Sequence, residues 1–245
     1  MSRSKLQKLM RRVRKKWRTA TEPWPRFERH ARRHLAAHGL KLERLGSNYG
    51  GWYIPTEKLT SHSVCYLAGV GEDITFDLAL IAACGCDVHA FDPTPRAAQH
   101  VLDEARNVGA FHFHPFGLWS EDAVMRFYAP RDPRHVSHSI VNLRSTKSFF
   151  EGPCRPLSAI LRDLGHEHID LLKLDIEGAE HEVLASMLAD GIRPRILAVE
   201  FDQPVPYRQM QQTFDRLLLA GYAFVHMDSL NLTFIQRSEL RTVSA

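Results

Sequence analysis

Residues 65–95 read CYLAGVGEDITFDLALIAACGCDVHAFDPTP. A strand-like apolar run enters a glycine turn, a helix-length apolar segment follows, and a second β-rich run ends in Asp92. Strand, turn, helix and strand in this order form a nucleotide-binding unit whose ligand lies at the carboxyl end of the first strand. The dinucleotide fingerprint G-x-G-x-x-G needs glycine at position 74, where Ile74 stands. Glu72 and Asp73 also set two carboxylates where a pyrophosphate would meet the helix N-terminus. Both features count against a nicotinamide-dependent oxidoreductase, the competing enzyme class.

A cationic or zwitterionic nucleoside suits the acidic turn better, and Asp92, about 20 residues further on, is placed to accept hydrogen bonds from ribose hydroxyls. S-adenosylmethionine meets both conditions, with Gly69, Gly71, Glu72, Asp73 and Asp92 as candidate contacts. An ordinary tight turn, with Asp92 capping a helix, accounts for the same residues one at a time. Their combined spacing favours the cofactor.

Working outward, apolar runs alternate in type from Ser63 onward. VCYLA, a helix through Ile81, VHAF, a helix over 96–108, FHFHPF and VMRFY come first. A helix over 157–164, IDLLKLD, a helix over 179–188, RILAVEF and a helix over 207–219 follow. Such alternation predicts a doubly wound α/β fold with a mostly parallel sheet. GYAFVHMDSLNLTFIQ at the end reads as an antiparallel hairpin. Residues 129–156 break the rhythm with prolines, serines and cations and read as a surface excursion; within it, His138 is a candidate substrate contact.

Before the alternating region, two prolines around Trp24 are expected to end an N-terminal arm, and Arg26–His38 to form a helix stopped by Gly39. GSNYGGWYIP then reads as a glycine and aromatic loop. Nine of the 32 Lys and Arg lie in residues 1–18 without an acid, leaving 23 against 28 acidic residues elsewhere. Leu6, Leu9, Met10, Val13 and Trp17 recur there at helical spacing, a pattern suited to an anionic membrane surface; a solvated tail fits equally. The negative body and the lack of an N/D-P-P-Y/F tetrapeptide argue against a nucleic-acid partner. No apolar run approaches the roughly 20 residues of a membrane span, and no secretory signal is evident, so a cytoplasmic protein is expected, peripheral at the inner membrane surface through its arm. Cys65, Cys84, Cys86 and Cys154 lack zinc-ligand spacing, and no metal is expected.

GVGEDITFDLAL, AFDPTP and LLKLDIEGAEHEVL, in this order and spacing, resemble the FkbM family of S-adenosylmethionine-dependent methyltransferases from about Tyr49 to Phe234. The octet Lys173–Glu180 is the most diagnostic part. The family's usual first motif has an acid where Gly69 stands and a glycine where Thr75 stands, so this chain carries a divergent form. The resemblance implies a Rossmann-like class I methyltransferase fold, seven strands with the last antiparallel, and adds Pro93 of AFDPTP to the cofactor contacts. Its implied reaction is O-methylation of a hydroxyl on a carbohydrate, glycolipid or secondary metabolite, with a small-molecule or glycan acceptor. The expected organisation is a basic arm over 1–22, a helix and loop over 23–60, a methyltransferase domain over 61–236 and a tail over 237–245. A noncatalytic membrane-associated binding protein is the remaining alternative.

Methyl transfer to an alcohol requires an aligned nucleophile and a base for its proton. Asp175 ends IDLLKLD and Glu177 opens the next turn, so both project at the cofactor edge as catalytic candidates. Lys173, two residues earlier, lies on the strand face of Asp175, where its ammonium holds that carboxylate ionised. A structural ion pair fits the same residues. His181, four residues beyond Glu177, reads as a relay partner or as an exposed histidine without a role. Glu200, in AVEFD, places a further carboxylate on this edge as a substrate contact, or caps the loop before Pro204.

Overall fold

The computed structural model describes residues 23–129, 139–140, 146–201 and 205–240. Helix α1 (Pro23–Arg32) leads to a hairpin of β1 (Glu43–Leu45) and β2 (Trp52–Ile54). Then β3 (Val64–Ala68), α2 (Thr75–Cys84), β4 (Asp87–Phe91), α3 (Pro95–Glu104) and β5 (Phe111–His114) alternate. Strands β6 (Gly117–Leu118), β7 (Ala123–Tyr128) and β8 (Phe149–Arg155) interrupt the alternation. It resumes with α4 (Leu157–Leu164), β9 (Leu171–Leu174), α5 (Glu180–Ala189), β10 (Ile196–Glu200) and α6 (Tyr207–Leu219), and β11 (Tyr222–Asp228) and β12 (Asn231–Gln236) close it.

Seven strands make one sheet in the order β11-β12-β10-β9-β3-β4-β5, parallel except for β12. This is the doubly wound, mostly parallel arrangement with a terminal antiparallel hairpin that the sequence predicts, and its seven strands match what the family resemblance implies. Strand order reverses between β3 and β9, and open α/β sheets bind ligands outside the carboxyl ends of strands at such a point. Central strands read as unbroken apolar runs because both faces are covered: Tyr66 and Ala68 join one core, Cys65 and Leu67 the other. Glycines in left-handed conformation stop two of the helices, Gly85 after α2 and Gly165 after α4.

Four sequence expectations are corrected. Helix α1 begins at Pro23 instead of Arg26 and ends at Arg32 instead of His38, because prolines in a first turn have no intrahelical N–H bond to lose. The chain beyond it lies along the sheet, where Ala36 donates its N–H to the Phe224 carbonyl at 2.8 Å. In the aromatic loop, Trp52–Ile54 is a strand whose hairpin covers the sheet with Trp52 and Ile54 fully buried. VMRFY joins a separate three-stranded sheet, β6-β8-β7, and within the expected excursion Phe149–Arg155 pairs antiparallel with it. Residues 23–60 as a whole pack into both cores, through Phe27 and Ala31 on one face and Trp52, Ile54 and Leu59 on the other. The arm over 1–22 lies outside the described residues.

One property of this packing is measurable as a pH effect. His89 on β4 stacks on His112 and His114 of β5, ring centroids 4.7 and 5.3 Å away, with His166 edge-on at 4.8 Å. Burial, then the neighbouring imidazoles, lowers the His89 pKa to about 4, and burial alone lowers His181 to about 4. His114, His166 and His226 are lowered in the same sense. Each folds neutral, so the unfolded chain binds more protons, and stability falls as pH drops from about 6.5 through 4. Asp77, whose pKa is raised, works in the opposite direction but is outnumbered. His181 alone is expected to cost about 2 kcal/mol between pH 7 and 5. Urea unfolding at both pH values checks this; a flat profile, or one unchanged by His181→Asn, contradicts it.

Candidate active site

A cavity of about 800 Å³ opens at the carboxyl ends of β3, β4, β9 and β10. Its floor is the turn from Gly69 to Asp73, where the backbones after β3 and β9 approach closely. Asp175 donates its N–H to the Ala68 carbonyl at 3.1 Å, and a Cβ on Gly69 would lie 1.6 Å from the Asp175 carbonyl oxygen. Gly69 also takes φ +84° and Gly71 φ +57°, conformations that favour glycine. A side chain at 69 has no space in this backbone.

Asp92 fixes this turn. One carboxylate oxygen accepts from Val70 N–H at 3.0 Å and Gly71 N–H at 2.9 Å; the other accepts from Thr94 N–H at 2.8 Å and its hydroxyl at 2.6 Å. A carboxylate offers about four acceptor positions, and these bonds occupy them. Asp73 is committed in a similar way: it accepts from the Ser47 hydroxyl and from Thr75 N–H and hydroxyl, tying the β1–β2 loop to α2. Burial pushes its pKa up, but those bonds outweigh it and leave the carboxyl below its ordinary range. Glu72 faces outward in a two-pronged pair with Arg96 at 2.8 and 2.9 Å.

On the opposite side, Lys173 is buried, donates to the Gly69 carbonyl at 2.9 Å and stands 3.6 Å from Asp175. Its ammonium also lies 5.6 Å from the centre of the Trp52 ring. Beyond Asp175 the chain turns sharply, with Glu177 at φ +53°, a strained value for a residue with a side chain. Buried Glu180 holds that turn by accepting from Ile176 N–H at 2.8 Å and Gly178 N–H at 3.0 Å. Ser139 donates to the Glu177 carbonyl at 2.5 Å. Glu200, opposite Asn231 in the β10–β12 register, lines the far wall with Tyr49. Tyr49 is largely exposed, yet partial burial and then the charges of Asp175, Glu177, Glu200 and Asp73 push its phenol above the ordinary pKa.

The Methyltransferase FkbM domain model matches residues 66–230, two thirds of the chain. The chain belongs to the FkbM methyltransferase family. The chain is 33% identical over 137 residues to a rat protein named "Probable methyltransferase-like protein 24" and 31% identical to the human one. These matches cover 56% of this chain, which spans about a third (31%) of the length of those curated relatives. Among solved structures, methyltransferase FkbM from Methylobacillus flagellatus aligns over 72% of this chain and 44% of its own, with TM-score 0.46 and 14% identity. Aeropyrum pernix fibrillarin, solved with natively bound S-adenosyl-L-methionine, aligns over 82% and 83% with TM-score 0.43 and 12% identity.

The FkbM domain gathers Gly69, Gly71, Glu72, Asp73, Asp92, Pro93, Lys173, Asp175, Glu177 and Glu200 around one cavity. His138 falls outside the described residues. His181 is corrected: helix α5 starts only at Glu180, and the imidazole is buried and bonded to the Thr213 hydroxyl at 2.7 Å. Sequence reasoning missed Tyr49, Trp52 and Asn231, which come from the hairpins, and Asp77, which sits in an apolar helix. Among the described residues, no three His, Cys, Asp or Glu side chains form a group able to hold a metal ion. No helix among them is long and apolar enough to cross a membrane.

Proposed function

We propose that the FkbM domain binds S-adenosylmethionine on the Gly69–Asp73 turn and methylates a hydroxyl of a small molecule or glycan, within the carbohydrate, glycolipid and secondary-metabolite classes. The observation that carries this reading is the acidic cavity at the topological switch point, where a fixed glycine turn abuts Asp175 and shares its lining with Glu177 and Glu200. The lining suits the cofactor: Phe91, Leu118 and Phe127 give an apolar wall for a base, while the carboxylates favour a ligand carrying positive charge. Asp92 and Asp73 shape the turn through the bonds described, and Glu72 stands at its outer rim.

When bound, the cofactor supplies a methyl group on a positively charged sulfur, open to in-line attack. Asp175 or Glu177 accepts the proton of the acceptor hydroxyl as attack proceeds. Lys173 stands 3.6 Å from Asp175 and, by donating to the Gly69 carbonyl, keeps β9 in register with the turn. Glu200, Asn231 and Tyr49, which line the cavity, orient the acceptor; His138 is carried as a further candidate from the sequence alone. In this reading the basic arm holds the domain at an anionic membrane surface.

Calorimetry with S-adenosylmethionine and its demethylated product is expected to show micromolar binding, followed by transfer of labelled methyl to a polyhydroxyl acceptor. Tight binding of reduced nicotinamide dinucleotide with neither of these ligands bound overturns the reading.

A further inference from the structure

Asp77 stands apart from the other acids of the cavity. It is the third residue of α2, between Phe76 and Leu80, whose side chains are buried in the core, and it is only 4% exposed itself. Yet it lines the cavity wall. Asp73 and Asp92 are spent on backbone and hydroxyl donors, Glu72 on Arg96, and Asp175 lies beside Lys173. Asp77 forms no ion pair among the described residues, although Lys173 acts on it electrostatically. A buried carboxylate without a paired cation is costly to keep ionised, and a cationic ligand set against it removes that cost. Asp77 and Lys173 therefore offer one anion and one cation to the same end of the cavity, matching the charges of an α-amino-acid zwitterion.

We propose that Asp77 is the cavity's anchor for the α-ammonium group of the cofactor's amino-acid end, with Lys173 facing the carboxylate of that end. The assignment rests on the cofactor reading above and deepens it by dividing the site: Asp77, Lys173 and Trp52 take the amino-acid end, and Phe91, Leu118 and Phe127 the nucleoside. Burial pushes the Asp77 carboxyl up to about 6, opposed by Lys173 and reinforced by Asp73 and Asp175. Other charges on elements packed against α2 are engaged elsewhere: Glu43 with Lys41 and Thr56, Arg44 with the Ser47 carbonyl, Asp87 with His112. His89, His112 and His114 belong to the opposite face, with Tyr66 and Phe91. A bound ammonium stabilises the ionised form and lowers the Asp77 pKa. Binding therefore releases a proton, and affinity weakens as pH falls below about 6.

The test is calorimetry on the full chain and on Asp77→Asn with three probes: S-adenosylmethionine, S-adenosylhomocysteine and 5′-methylthioadenosine, which keeps the nucleoside but lacks the amino-acid end. Asp77→Asn is expected to weaken the first two by about 10- to 100-fold and leave the third unchanged. The wild type loses S-adenosylmethionine affinity between pH 7 and 5, whereas the variant shows a flatter profile. The ligand-free variant melts at or above the wild-type temperature at pH 7.5, since the amide removes a buried charge. Equal affinities for S-adenosylmethionine in both proteins sink the assignment alone. So does parallel loss of all three probes with a lowered melting temperature, which marks a structural role. A wild type that binds none of the probes overturns the cofactor reading and this proposal with it.

Discussion

Asp175→Asn or Glu177→Gln is expected to cut the single-turnover rate of methyl transfer by about 10²- to 10⁴-fold, the range for removal of a general base. Both substitutions keep side-chain shape and remove only charge. The turn that follows Asp175 and contains Glu177 is pinned by Glu180, which accepts from the Ile176 and Gly178 N–H groups. Glu177→Gln is therefore expected to melt with the wild type. Asp175→Asn removes the charge 3.6 Å from buried Lys173, which retains its bond to the Gly69 carbonyl, and a small loss of stability is expected there. A base reveals itself as lost turnover with cofactor affinity kept. Near-normal rates in both variants, or activity lost only in step with melting temperature, eliminates the pair as candidates.

Gly69→Ala is expected to be the most damaging single methyl group in the domain. The new carbon would lie 1.6 Å from the Asp175 carbonyl oxygen, a backbone atom that moves only if β3 and β9 separate. The positive φ adds the cost of a left-handed conformation for an L-residue. Together these predict a loss of about 3 kcal/mol or more, or roughly 6–12 °C in melting temperature for a chain of this size, with cofactor binding abolished. Gly71→Ala is the control: its φ is also positive, but a Cβ there meets nothing within 4 Å. That variant is expected to lose only about 1–2 kcal/mol. Similar melting curves for the two variants contradict the close-approach argument.

The sheet was legible because burial on both faces writes itself into composition: VCYLA, LLKL and ILAVE are apolar at nearly every position. The terminal hairpin was equally plain. The second sheet was hidden for the converse reason. FFEGPCR carries a glycine and a proline, which signal a turn until β7 is seen beside it. Acids were the harder case. Sequence spacing brings Asp73 and Asp92 to the right edge, but only coordinates show that their oxygens are consumed by N–H and hydroxyl donors. Asp77 escaped notice because TFDLALIAAC reads as a core helix with one stray polar residue, and nothing local tells whether that residue faces solvent, core or cavity. His181 was misjudged because α5 starts later than the spacing argument assumed.

The hairpin β1–β2 bears on how the domain can be handled in the laboratory. The family-domain match begins at residue 66, yet Tyr49, Gly50 and Trp52 form part of the cavity wall, and Ser47 is bonded to the turn through Asp73. Phe27 of α1 is in ring contact with Phe201 and Phe214 on the opposite core. A fragment cut to the boundaries of the family match would lack one side of its pocket and leave apolar sheet surface facing water. Expression boundaries and domain transplants should therefore follow the packing and start ahead of Phe27, so that the catalytic unit travels with the segment that roofs it.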